Sequence, residues 1–465
     1  MKKNKIYFSL AIFSLSVFLV VSGFGCKGLS TTQIQATKTI TLEYWTVFDD
    51  VDALRAGVDS FRQLRPYINV NIRQLRSDEL YPRLVEALAE DKGPDIISVR
   101  NRWMKTYVSK LASMPASVDD TTIVVTKGQF GTNTTVNTAT KPMINQLGLD
   151  REYIKVVKDD VVLNGNIYGL PVSLDTMAIF YNKDLLDSAG VAEPPKNWEE
   201  FQVAVKKMTK YDKKNNKILQ SGAAFGAGAN VPGSDDLLYL LFKQSGYNFT
   251  TKNGQAIFNL TPSGLSGGQE PPGISIMNFY TDYANEARDT YTWNKNMGNA
   301  LDRFVNGSVG FFFGYSYNLP VIKARAPQLN LGVLPVFQLN PDKPVNVANY
   351  WVQTVVGKSK NQNESWNLID YLTHSKYTKE YLDKTGRPTA LRTFVTAQKE
   401  NPDLDPFVSQ ILISENWYRG ANYEAATKAI NDLIDEWLTP APAGKEGNWQ
   451  QEMLNRAAAK INQTL

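Results

Sequence analysis

The spacing of apolar positions changes several times along this chain, and each change predicts an element. Residues 40–45, ITLEYW, alternate and read as a strand. Leu54, Val58, Phe61 and Leu64 then recur at helical spacing, and Pro66 ends that run. Ile68, Val70 and Ile72 alternate again as a second strand. Pro82 is placed to open a helix, with Leu84 and Leu88 following on one face. Gly93-Pro94 stops that helix, and residues 95–99, DIISV, form a short buried strand. Strand, helix, strand, helix, strand is the pattern of an α/β fold with a largely parallel sheet. Ligands on such sheets lie beyond the carboxyl ends of the strands. Trp45-Thr46 and residues 99–102 occupy positions of that kind.

The most informative stretch is 159–208. A Gly-containing hairpin leads into a strand, a polar break, a second strand, a short helix, a Pro-Pro turn and an amphipathic helix. Asn197 is placed to cap that last helix, with Glu200 as its capping-box partner, and Trp198, Phe201, Val205 and Met208 form its buried stripe. Residues 119–150 are rich in Thr, Asn and Gly, show little periodicity, and read as a surface excursion. Further strands are expected at the end of 302–313, at 331–335 and at 352–356. A helix with Trp366, Ile369 and Leu372 on one face follows, and two amphipathic helices close the chain.

At 465 residues the chain is too long for one ordinary core, so two lobes or more are expected. The 50 Lys and Arg nearly balance 46 Asp and Glu. Lys2, Lys3 and Lys5 belong to an N-terminal leader; removing those 3 leaves 47 against 46 and no basic field to attract nucleic acid. The leader has a basic start, an apolar run of 16 residues from Ile6 to Val21, small residues, and then Cys26. That is the layout of a secretory signal over residues 1–25, and the run is shorter than the ~20 residues needed to span hydrocarbon. Cys26 is the only cysteine, so no disulfide forms within one chain. Its setting resembles the lipidation motif of bacterial lipoproteins, although Gly23 and Phe24 depart from the usual residues there. Residues 26–38 read as a polar tether after the modified cysteine.

The chemistry inventory excludes much. His374 is the only histidine and sits near the end of a helical run. With so few His and Cys, zinc sites and Ser-His or Cys-His catalysis have almost nothing to build on, and no phosphate-cradling glycine loop is present. No metal, cofactor or catalytic residue is expected. A pair of carboxylates is the one catalytic apparatus left open, which keeps a secreted glycosidase as the alternative class.

Taken in order, ITLEYW, GPDIISV, IYGLPVSLDTMAIFYNKDLLDSAG with PPKNWEEF, FVNGSVGFFFGYS, LGVLP, SWNLIDYL and TGRPTA resemble the bacterial extracellular solute-binding proteins of the carbohydrate-uptake class, the maltose-binding-protein-like family. The resemblance covers nearly all of residues 39–463. It implies a type II periplasmic-binding-protein fold: two α/β lobes, each a mainly parallel sheet flanked by helices, joined by hinge crossings, with ligand between them. Carried over, one lobe is 39–171 plus 336–374 and the other 172–335 plus 375–465. It further implies capture of a mono- or oligosaccharide for an ABC transporter, contact with its permease subunits, export, a monomer, and anchoring to the outer face of the cytoplasmic membrane through the lipid on Cys26. A non-sugar polar solute on the same scaffold stays open, because loop residues decide specificity.

Eight residues are candidates to hold the ligand. Asp175 lies at the lobe crossing and is either a turn aspartate or a carboxylate that accepts from sugar hydroxyls. Trp45 ends the first strand and either packs in the core or binds. Tyr315 and Tyr317 follow the FFFG strand, where the family offers an aromatic platform. Trp351, next to Tyr350, precedes a strand. Arg387 in TGRP donates to hydroxyls or forms a surface ion pair. Trp417 and Tyr423 precede the penultimate helix and can supply another ring. Asp49 and Asp50 are expected to start the first helix, and Asp95 to fix its turn.

Overall fold

A computed structural model describes residues 30–465 except 129–130, 216, 263–269 and 445–446. The leader and Cys26 therefore lie outside the described residues.

The first lobe is organised by a four-stranded sheet. Ile40–Thr46 sits centrally and pairs in parallel with Ile68–Gln74 on one side and Ile96–Arg100 on the other. Trp351–Val355 closes the edge, antiparallel to Ile96–Arg100. Helix Val51–Arg62 covers this sheet with Ala53, Leu54, Val58 and Phe61, capped by Asp50, whose side chain accepts from the Ala53 N–H at 2.7 Å. Helix Ser77–Ala89 begins five residues before the expected start at Pro82. Ser77, Asp78 and Glu79 supply a polar first turn that suits the helix dipole, and Pro82 is carried inside.

The second lobe holds a five-stranded sheet in the order Lys210–Asp212, Lys217–Ala223, Val309–Gly314, Ala178–Asn182, Leu331–Pro335. Only Lys217–Ala223 and Val309–Gly314 are parallel neighbours; the other pairings are antiparallel. The expectation of a mainly parallel sheet is thus met in the first lobe and corrected in the second. The reason is the route of the chain. Lys217–Ala223, Val309–Gly314 and Leu331–Pro335 all run in one direction, with Val309–Gly314 ending beside the gap between the lobes. Ala178–Asn182 has just crossed from the other lobe. A strand that begins at the gap runs away from it, against its neighbours. Trp351–Val355 repeats this in the first lobe after the return crossing.

The crossings pair with each other. Asp175–Thr176 lies antiparallel to Asn346–Asn349, and Ser414–Glu415 adds to the latter in parallel. Helix Lys376–Thr385 was expected with the second lobe, but it packs on Val51–Arg62: Gly57 lies against the Tyr377 ring, and the Tyr377 hydroxyl donates to the Ala53 carbonyl. The surface excursion expected over 119–150 is mostly regular structure. Ser117–Gly128 and Gly131–Pro142 form one long antiparallel hairpin. Val118, Thr121 and Val136 are its few buried residues, so the stretch carries almost no apolar period to reveal it.

Candidate functional site

Where the strands end at the gap, side chains from both lobes enclose a cavity of ≈ 280 Å³. Val47 and Phe48 follow the central strand of the first lobe, and Arg100 ends the next one. Trp103 comes from the short turn after it. The return crossing contributes Asn349, Tyr350 and Trp351. Ser173, Leu174 and Asp175 come from the outward crossing, and Ser316 and Tyr317 follow the buried FFFG strand. Arg387 and Pro388 come from the loop after helix Lys376–Thr385. Gly386, at φ 60°, turns the chain there in the left-handed conformation that glycine adopts most cheaply.

The rings form a continuous wall. Phe48 meets Tyr317 of the opposite lobe edge-on at 5.0 Å and lies parallel to Trp351 at 6.3 Å. Trp103 stands at right angles to Trp351 at 5.5 Å. The Arg387 guanidinium lies 4.3 Å over the Phe48 ring and donates to the Phe48 carbonyl at 2.7 Å. Arg100 donates through Nε to Asn349 Oδ1 at 3.1 Å. Asp175 accepts from Ser316 Oγ at 2.6 Å and from the Thr176 N–H at 2.9 Å. Burial pushes its carboxyl up to about 6, against the lowering effect of those hydrogen bonds. Burial likewise pushes the Tyr317 hydroxyl up to about 12.

Of the eight candidates, Asp175, Tyr317, Trp351 and Arg387 meet in this cavity. The other four do not line it. Trp45 is 7% exposed and buried within the sheet, with the Arg73 guanidinium 5.7 Å over its ring; Phe48, three residues on, reaches the cavity instead. Tyr315, Trp417 and Tyr423 are buried behind the wall around an ion pair between the lobes. There Arg102 donates to Asp236 at 2.6 Å through Nη2 and lies 3.7 Å from Asp235. The Tyr423 hydroxyl donates to Asp235 at 2.6 Å and accepts from Arg102 at 2.7 Å. Trp417 Nε1 donates to Asp236 at 3.1 Å, and the Tyr315 hydroxyl donates to the same carboxylate. Rings in that region were foreseeable; the two aspartates that draw them inward were not, since an Asp-Asp pair at a helix start reads as a solvated cap.

Phe48, Arg100, Trp103, Ser173 and Asn349 are among the cavity residues that the sequence does not single out. The strand-end rule points to Trp45-Thr46 and to the segment 99–102 that holds Arg100, but not to a ring past the strand terminus. Asp49 ties the strand ends together, accepting from Thr46 Oγ1 at 2.5 Å and Ser98 Oγ at 2.6 Å. Asp95 does not line the cavity; its carboxylate accepts from the Glu43 N–H of the adjacent strand at 2.9 Å and from Asn361 Nδ2 at 3.2 Å, so it ties neighbouring elements together rather than its own turn. His374 ends its helix 3.2 Å from Asp370. Among the described residues no cluster of three His, Cys, Asp or Glu is placed to hold a metal ion.

A model of the bacterial extracellular solute-binding protein family matches residues 56–406. A multiple sugar-binding protein of Streptococcus mutans is 20% identical over 301 residues, 60% of this chain and 68% of that one. Among solved structures, a cyclic α-maltosyl-1,6-maltose-binding protein from Arthrobacter globiformis superimposes with a TM-score of 0.68 at 17% identity, over 92% of this chain and 99% of that one. An ABC transporter solute-binding protein from Thermotoga lettingae, bound with α-D-tagatose, gives 0.65 at 19% identity, over 92% and 100%.

Proposed function

The chain belongs to the bacterial extracellular solute-binding protein family, and from that premise we propose that it captures a mono- or oligosaccharide in the cavity between its lobes and hands it to an ABC importer. The observation that carries this reading is the aromatic wall. Phe48, Trp103, Tyr317, Tyr350 and Trp351 line the cavity together with Asp175, Asn349, Ser173 and Ser316. Sugar rings offer the complement: apolar C–H faces and a rim of hydroxyls. The sugar-binding relatives support it. In this reading Asp175, Tyr317, Trp351 and Arg387 hold the ligand with Phe48, Arg100 and Trp103, while Trp45, Tyr315, Trp417 and Tyr423 brace the walls.

Capture works by closure. Residues 39–171 plus 350–391 form one lobe, and 172–345 plus 392–465 the other, with 346–349 in the crossing. Phe337, at 5.4 Å from the Trp198 ring, is the reason for carrying the second lobe past residue 335. The bridge between Tyr153 and Leu391 is the reason for carrying the first lobe past residue 374. Ligand selects the closed arrangement because only there do both lobes touch it. The protein is exported and held at the outer face of the cytoplasmic membrane by acylation of Cys26, where it meets the permease subunits as a monomer. Incorporation of labelled palmitate that vanishes in Cys26→Ser tests the anchor.

No chemistry follows capture. A glycosidase needs two carboxylates flanking the bond, and Asp175 is the sole carboxylate among the cavity-lining residues. Incubation with oligosaccharides leaves them uncleaved on this account. The test of binding is a thermal-shift panel of sugars. A ligand at about 100 times its Kd stabilises by about 2.7 kcal/mol and raises the melting point. A panel without any shift, or scattering curves identical with and without each sugar, refutes the reading.

A further inference from the structure

We propose that the captured sugar is acidic, carrying a carboxylate that Arg100 and Arg387 hold between them. This rests on the carbohydrate reading and narrows it.

The charges lining the cavity do not balance. Two guanidiniums face it and one carboxylate. That carboxylate is already engaged by its own chain, since Asp175 accepts from Ser316 and from the Thr176 backbone. The cations are not engaged in the same way. Arg100 gives Nε to a neutral amide, Asn349, and Arg387 gives one nitrogen to a backbone carbonyl, that of Phe48. Neither lies within ion-pair distance of a carboxylate among the described residues. The acid whose charge Arg100 feels, Asp235, is taken up by Arg102 and the Tyr423 hydroxyl.

Both guanidiniums are nonetheless held in place. Arg100 lies 5.2 Å from the centre of the Tyr423 ring, and Arg387 lies 4.3 Å over Phe48. A guanidinium resting on a ring keeps its in-plane N–H donors free, and a fixed planar fork is the partner a carboxylate fits best. Arg102 shows what this chain does when a guanidinium is meant to be neutralised from within: it supplies two aspartates. A neutral sugar offers hydroxyl dipoles to two half-buried cations, whereas a uronate offers the missing charge.

The test is titration calorimetry with matched sugars: glucose against glucuronate, galactose against galacturonate, and α-1,4-linked galactobiose against digalacturonate. The acidic member of at least one pair is expected to bind about tenfold or more tightly than its neutral counterpart, and to weaken as salt is raised. Arg100→Gln should cost the acidic ligand on the order of 10- to 100-fold in affinity, a larger loss than the neutral counterpart suffers. Arg387→Gln provides the second arm should the first variant fold poorly. A neutral member that binds as tightly as its acid overturns this inference and leaves the carbohydrate reading standing. Equal losses for both members in both variants assign the arginines to hydroxyls and overturn it too. No binding by any member overturns both.

Discussion

Arg100 and Arg102 stand two residues apart, yet their surroundings are opposite. Arg102 is fully buried and meets Asp235, Asp236 and the Tyr423 hydroxyl. Arg100 is half-buried at the cavity and has only an amide and a ring. Around Arg102 the charge is met by two carboxylates of the chain itself; around Arg100 no carboxylate lies within ion-pair distance among the described residues, and the side chain lines the cavity. The comparison separates a residue whose side chain joins the lobes from one that lines the cavity between them. Proximity alone does not separate them, since rings and charges are dense in both regions.

Breaking the closed region has the largest expected effect. Arg102→Met strands two buried carboxylates, and removing one partner of a buried pair costs about 3–5 kcal/mol. Chemical denaturation should show that loss, and a change below about 1 kcal/mol would mean the aspartates simply take up protons. In the open region, Asp175 makes a distinctive pH signature. Its carboxyl sits at about 6 in the folded protein against an ordinary 3.8. The folded state therefore holds the proton more tightly, so this group's contribution to stability is fully present below about pH 4 and is lost as pH rises to about 6. By pH 7 the loss amounts to about 3 kcal/mol. Asp175→Asn should flatten the unfolding free energy across that window, and an unchanged profile would contradict the assignment.

A third contrast sets one tryptophan against another. Trp351→Ala should weaken the ligand by about 1–2 kcal/mol while leaving the fold largely intact, because its ring is half-exposed at the cavity. Trp417→Phe should lower stability by about 1–2 kcal/mol, through the lost bond to Asp236, and spare affinity. Reversed results would mean the two regions have exchanged roles. The smallest effect belongs to an exposed pair. Lys379 and Asp383 are each 59% exposed, and Lys379→Ala should change stability by less than about 0.5 kcal/mol.

Much of the fold was readable because its helices and strands keep their own apolar periods. The strand at 40–46, the buried stripe of Trp198–Met208 and the FFFG strand all follow from spacing alone. The direction of Ala178–Asn182 and Trp351–Val355 was not readable, since it depends on which side of the gap the chain enters from. The hairpin at 117–142 was missed because both its faces are mostly exposed, and exposed strands need no alternation. At the cavity, Asp175 is named through the family resemblance at the lobe crossing, and Trp351 because it precedes a strand. Phe48 escaped because it lies beyond the strand that positions it. Trp417 and Tyr423 read as ligand contacts in the sequence because nothing local reveals that Asp236 and Asp235, distant in the chain, hold them inside.

The most direct measurement is calorimetric titration of the first sugar found to raise the melting point, into the wild-type protein and into a Phe48→Ala/Trp351→Ala variant with an unaltered circular dichroism spectrum. One ligand per chain in the wild type, and binding weakened at least about a hundredfold in the variant, is the predicted result. Undiminished binding in the variant would contradict the account, because the ligand would then lie somewhere other than the cavity between the lobes.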